Sequence, residues 1–157
     1  MRFNGVRSAY FVGALLAALT VPSQAAVASI APVEARGVMA YSASAAVQYA
    51  TNQLGKPYCY PGTGPSCFDN SGLTLKAWAA GGVSLPRTEG AQYDSTKRVA
   101  RSDLQPGDLV FFADASYVGI YIGGNKLIDA GHTGTQVAVH SLSDPWCASN
   151  YTGAGRP

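Results

Sequence analysis

The sequence predicts a single α+β domain, with helices first and an antiparallel sheet after them. Three observations carry that expectation. Segments of good helix formers, punctuated by Gly and Pro, fill the stretch before residue 107. After Gly107 the pattern changes to short apolar and aromatic runs, "DLVFF", "YVGIYIG", "KLIDA" and "QVAVHSL". Between the second and third of these stands Gly123-Gly124-Asn125, the chemistry of a tight hairpin turn. The result is helices packed on an antiparallel sheet of about four to six strands.

The helices follow from their stop and start signals. "SASAAVQYATNQLG" opens at Ser42 or Ser44, either of which can cap it, and stops at Gly55. A Pro- and Gly-rich loop covers 56–66. Asp69 is placed to cap a second helix, "NSGLTLKAWAAGG", with Leu73, Ala77 and Ala80 on one face and Gly81-Gly82 at its end. In "SLPRTEGAQYDST" the Pro86 break and Thr88 cap predict a short third helix. Residues 26–41 show no clear period and read as a linker, 42–145 read as the domain, and 146–157, closing on "YTGAGRP", read as a loose tail.

The first 25 residues read as something to be removed. Arg2 and Arg7 precede an apolar run from Ala9 to Val21, then Pro22, Ser23 and Ala25. That order is the signature of a secretory signal peptide cleaved after Ala25. The run is shorter than the roughly 20 residues a spanning helix needs. The expectation is a monomeric protein without a membrane segment after cleavage, secreted and extracellular. Both leader arginines leave with the signal, so 11 basic and 9 acidic residues become 9 of each. A chain so balanced has no basic field to draw it onto nucleic acid.

Three cysteines in an exported chain predict one disulfide and one leftover thiol. Cys59 and Cys67 flank "CYPGTGPSC" and are the favoured pair, with Cys147 as the alternative partner. Closing so short a loop contributes roughly 2–3 kcal/mol. Three scattered Cys and two His offer no zinc spacing, so no metal and no cofactor is expected.

From about Ser42 to about Leu142 the chain resembles the NlpC/p60 cell-wall peptidases, papain-like cysteine hydrolases of bacteria. Five motifs carry the resemblance in order: "LGKPYCYPGTGPSCFDNSGL", "GVSLPRTEGAQ", "DLQPGDLVFF", "YVGIYIGGNKLIDA" and "VAVHSL". The resemblance implies a papain-like fold and a triad. A cysteine on the first turn of a helix has its pKa lowered by the helix dipole, a histidine opening a strand takes its proton, and a third polar group on the next strand orients the imidazole. Those positions are 70, 117 and 129.

This sequence departs from the family at all three, with Asn70, Tyr117 and Asp129. Asn70 has no nucleophilic atom, and a phenol with a reference pKa near 10 is a poor base at neutral pH. Asp129 is left with no histidine in the family position to orient. The neighbouring Ser71 is rotated by about 100° along the helix. His132 in "DAGHTGT" and His140 in "VAVHSL" read as surface histidines. The resemblance further implies a cleft for peptidoglycan stem peptide, and Tyr58, Asp69, Ser71 and Arg87 keep polar groups at its matching positions, each with a structural role open to it as cap or packing residue. Tyr60 and Pro61 stand where the family has Trp and Gly, so the rim has changed too. The expected function is a secreted, catalytically inactive pseudo-peptidase, extracellular or cell-wall-associated, that binds peptidoglycan stem peptide or a cell-wall protein. The alternatives are a hydrolase with a non-family constellation, and a structural or interaction protein with a vestigial cleft.

Overall fold

The computed structural model describes residues 31–157, so the leader and its cleavage point lie outside the described residues. Helix α1 spans Ala31–Thr51, α2 Asn70–Ala80 and α3 Glu89–Ser95. The sheet follows: β1 Lys97–Val99, β2 Leu109–Phe112, β3 Tyr117–Gly123, β4 Lys126–Asp129 and β5 Ala138–Ser141. A short helix α4, Pro145–Asn150, leads into the final strand β6, Tyr151–Arg156. All neighbouring strands are antiparallel, in the order β1-β6-β2-β3-β4-β5. This is the predicted α+β architecture with six strands.

Two boundaries differ from the sequence reading. The stretch 31–41, expected as linker, is the first half of α1, and Ser42 lies inside that helix rather than capping it. The larger correction is the tail. Residues 146–157 form most of α4 and then β6, which inserts between β1 and β2, one strand in from the edge of the sheet. Its glycines read as loose chain because their reason is tertiary. A Cβ on Gly155 would lie 2.0 Å from the Thr96 hydroxyl, so only glycine lets the strand pass beneath the end of α3.

The sheet is covered on both faces, which explains its apolar runs. In β2, Leu109 and Phe111 enter the core under the helices with Ala46, Leu73, Ala77 and Trp78. Val110 and Phe112 face the other way, into a second core with Leu127, Leu142 and Cys147. Period-two alternation with both faces apolar gives a continuous hydrophobic strand. On α2 the buried face is Leu73, Thr74, Ala77 and Trp78, while Ala80 is exposed. The β3–β4 hairpin turns at Gly124-Asn125, both with positive φ (58° and 60°), as a type I′ turn requires.

Candidate functional site

The start of α2 is set by Asp69. Its Oδ1 accepts the Gly72 N–H at 2.7 Å, capping the helix, and its Oδ2 accepts the Gly62 N–H at 2.7 Å, tying the helix to the preceding loop. That loop is closed by a Cys59–Cys67 disulfide, Cα–Cα 5.6 Å, and Cys147 is left as a buried free thiol. Loop and helix meet so closely that a Cβ on Gly72 would lie 1.9 Å from the Gly62 carbonyl oxygen.

Arg87 completes the cluster. Its Nη1 donates to Asp69 Oδ1 at 3.0 Å and to Ser71 Oγ at 2.9 Å, and its Nη2 donates to Asp69 Oδ2. The bidentate pair is charge-assisted and holds the 86–88 segment against the helix start. Burial works to raise the Asp69 pKa, but hydrogen bonds from Arg87, Gly62 and Gly72, with the guanidinium charge, outweigh it and hold the carboxyl below its ordinary value. Beneath them Gln92, fully buried, donates from Nε2 to the Ser71 and Pro86 carbonyls and accepts from Thr74 Oγ1 at 2.7 Å. Tyr58 packs its ring on the helix-side core, and burial, then the charge of Asp69, raise its phenol pKa. Of the four proposed binding residues, three are thus joined by direct hydrogen bonds, and Tyr58 feels the charge at their centre.

Asn70 occupies the first position of α2, 6% exposed, and its Oδ1 is buried without a hydrogen-bond partner among the described residues. The amide sits where the helix dipole would favour an anion, and has no proton to give up to a base. Tyr117 and Asp129 lie on the wall of a cavity of 730 Å³. The 131–137 loop, β5 and α4 complete that wall, with Val137, His140, Asp144, Trp146 and Cys147. Neither Asn70 nor any of Tyr58, Asp69, Ser71 and Arg87 lines it.

Within the cavity wall the chemistry differs from the sequence reading in one respect. Asp129 does have a histidine beside it, but from β5: His140 Nε2 lies 3.8 Å from Asp129 Oδ1, and its Nδ1 lies 4.0 Å from Asp144 Oδ2. The imidazole therefore lies between two carboxylates. Asp129 Oδ1 also accepts the Gly131 N–H at 2.8 Å. Burial raises the Asp129 pKa, and His140, the Tyr117 hydroxyl, the Gly131 N–H and His132 offset this only in part. Burial, then the Asp129 charge, pushes the Tyr117 phenol far up, so it is no base. Cys147, 6% exposed, has its thiol pushed up by burial and then by Asp129 and Asp144, against a smaller pull from Arg101.

Sequence reasoning missed His140, Asp144 and Trp146 as wall residues, because their segment read as surface and tail. It missed Gln92 as well. A fully buried glutamine leaves no periodic signal in so short a helix.

The comparisons agree with this geometry. The NlpC/P60 family model matches residues 55–156. A probable endopeptidase p60 of Listeria innocua is 49% identical over 95 residues, 59% of this chain and 20% of that protein. A probable endopeptidase of Corynebacterium glutamicum is 40% identical over 128 residues, 81% of this chain and 61% of that one. The chain thus spans about a fifth of the first relative's length and about three-fifths of the second's. Among solved structures, an NlpC/P60 family protein from Bacillus cereus superposes with a TM-score of 0.69 at 32% identity, over 73% of this chain and 39% of that one. With the six-stranded sheet, the capped α2 and a family match over well more than half its length, this chain belongs to the NlpC/P60 family.

Proposed function

We propose that this protein is a secreted, non-hydrolytic NlpC/P60 domain that binds peptidoglycan stem peptide through the cleft at the start of α2. One observation carries the reading. The Asp69–Ser71–Arg87 cluster that frames the start of α2 is joined by hydrogen bonds, while the nucleophile position beside it holds Asn70, a buried amide. The frame for a bound ligand is kept and the attacking atom is not there. Tyr117 and Asp129 at the other two positions support the same reading, since a phenol with a raised pKa takes no proton at neutral pH. The basic and then apolar leader supports export.

A second reading has one observation in its favour: Cys147, His140, Asp129 and Asp144 line the same cavity. Hydrolysis through that thiol is disfavoured by burial and by the carboxylates near it, which work against forming a thiolate. Incubating the purified protein with isolated sacculi separates the two. The expected outcome is protein in the pellet and no muropeptide fragments in the supernatant by mass spectrometry. Fragments of defined size, abolished by Cys147→Ser, would replace the first reading with the second. Asn70→Cys combined with Tyr117→His and Asp129→His is expected to gain measurable cleavage; a folded but inert triple variant would mean that the cleft no longer holds a stem peptide in reactive register.

A further inference from the structure

Three carboxylates are buried among the described residues: Asp69, Asp108 and Asp129, at 1, 2 and 3% exposed. Two are neutralised by arginine. Asp69 is held by Arg87, and Asp108 by Arg156, Nε to Oδ1 at 2.7 Å and Nη2 to Oδ2 at 2.8 Å. Among the described residues no lysine or arginine reaches Asp129. Among those residues its one ionisable nitrogen neighbour within ion-pair distance is the imidazole of His140, which Asp144 shares from the other side. A buried carboxylate without a cation is costly, so such a group either keeps a proton or takes its counter-charge from outside.

The surroundings of Asp129 suit the second. It lines a cavity of 730 Å³, with room for an amino-acid side chain and part of its backbone. Among the described residues the wall holds a second carboxylate, Asp144, the aromatic rings of Tyr117 and Trp146, and no lysine or arginine. Tyr117 and Trp146 stand edge to face with centroids 5.0 Å apart, a fixed aromatic corner. A buried carboxylate beside aromatic rings matches an organic cation, whose charge the first neutralises and whose alkyl stem the second covers.

We propose that this cavity binds a primary ammonium group on an alkyl stem, with Asp129 as its counter-charge and the Tyr117–Trp146 corner as its wall. Such a group is what the diamino acid of a stem peptide can present, so the inference rests on the function proposed above for the ligand's natural source. It does not rest on it for the site. His140 is the internal competitor: as an imidazolium it would neutralise both carboxylates, and as a neutral ring it leaves Asp129 to the ligand.

The test is a titration of the full protein with Nα-acetyl-lysine methylamide and, separately, with its Nε-acetylated form, followed by NMR at the Trp146 indole and the Gly131 amide. Saturable shifts with the free amine and at least tenfold weaker binding of the neutral form are expected. Asp129→Asn, nearly isosteric, should weaken amine binding about ten- to a hundredfold while the rest of the spectrum is kept. Trp146→Ala, at a half-exposed position, should weaken it about two- to fivefold. Equal binding of both probes, an unchanged affinity in Asp129→Asn, or no saturable shift on folded protein would each overturn the proposal. Sacculus binding with no amine binding would overturn this inference and leave the stem-peptide reading standing. Amine binding without sacculus binding would do the reverse.

Discussion

Asp69 and Asp129 are the same residue, equally buried, and each lies beside a position where the family carries catalysis or is one. At Asp69 the structure supplies two backbone N–H groups, a serine hydroxyl and a bidentate arginine, and the carboxyl is held below its ordinary pKa. At Asp129 it supplies one backbone N–H, a phenol and an imidazole at 3.8 Å, and the carboxyl is raised. Burial alone raises both. What separates them is whether the fold spends an arginine on the site. A carboxylate that is neutralised inside the fold is part of the scaffold; one that faces a cavity without a cation is open to something from solvent.

The comparison is best broken by removing each charge without changing shape. The largest effect is expected for Asp69→Asn, a loss of about 3 kcal/mol at neutral pH, the lower end for breaking a buried pair because the Arg87 side chain is 39% exposed. A depressed carboxyl pKa contributes stability that is present above the unfolded-state value and lost as pH falls through the folded value. Urea unfolding at pH 7 and again below about pH 3 should therefore show the gap closing in acid. A gap that does not depend on pH would mean that the capping geometry, not the charge, is what Asp69 supplies.

Asp129→Asn is expected to act with the opposite sign. A carboxyl whose folded pKa is raised contributes stability fully present below the unfolded value, and that contribution is lost as pH rises through the folded pKa. Removing the charge should stabilise the ligand-free protein by about 1 kcal/mol at pH 7–8 and do little near pH 4. Thermal melts across that range measure it. A destabilised variant at neutral pH would show that His140 already neutralises the carboxylate, and the cation argument would go with it.

The smallest effect is expected at Asn70, where the two regions meet in function. Its Oδ1 is buried without a partner, a cost of about 1–3 kcal/mol that the lost packing of the side chain offsets in part. Asn70→Ala should be neutral or stabilising by up to about 1 kcal/mol in urea unfolding. A loss larger than that would mean that the amide has a partner in solution and a structural reason to be there.

The Asp69 half of this comparison was legible in the sequence and the Asp129 half was not. Asp69, Asn70 and Ser71 form one contiguous stretch, Arg87 sits in its own motif, and the disulfide partners flank one short loop. Local chemistry of that kind survives being read along the chain. His140 was read from strand alternation alone as a surface residue. Its side chain is indeed 43% exposed, yet it lies against Asp129 because β5 pairs with β4 in a register that no local signal states. Trp146 and Cys147 were assigned to a loose tail for the same reason, although α4 packs them onto the cavity and β6 carries the chain back into the sheet.

By itself the sequence determined the α+β class, the capped start of α2, the hairpin at Gly124-Asn125 and the residues standing at positions 70, 117 and 129. These rest on turn and cap chemistry within a few residues, and on motif order along the chain. Only the tertiary structure decided the place of β6 between β1 and β2, the pairing of Asp108 with Arg156, and the absence of any such partner for Asp129 among the described residues. Glycines chosen for close approach look the same in sequence as glycines chosen for flexibility. A carboxylate looks the same whether or not the fold brings it a cation, because that depends on contacts between segments far apart in the chain.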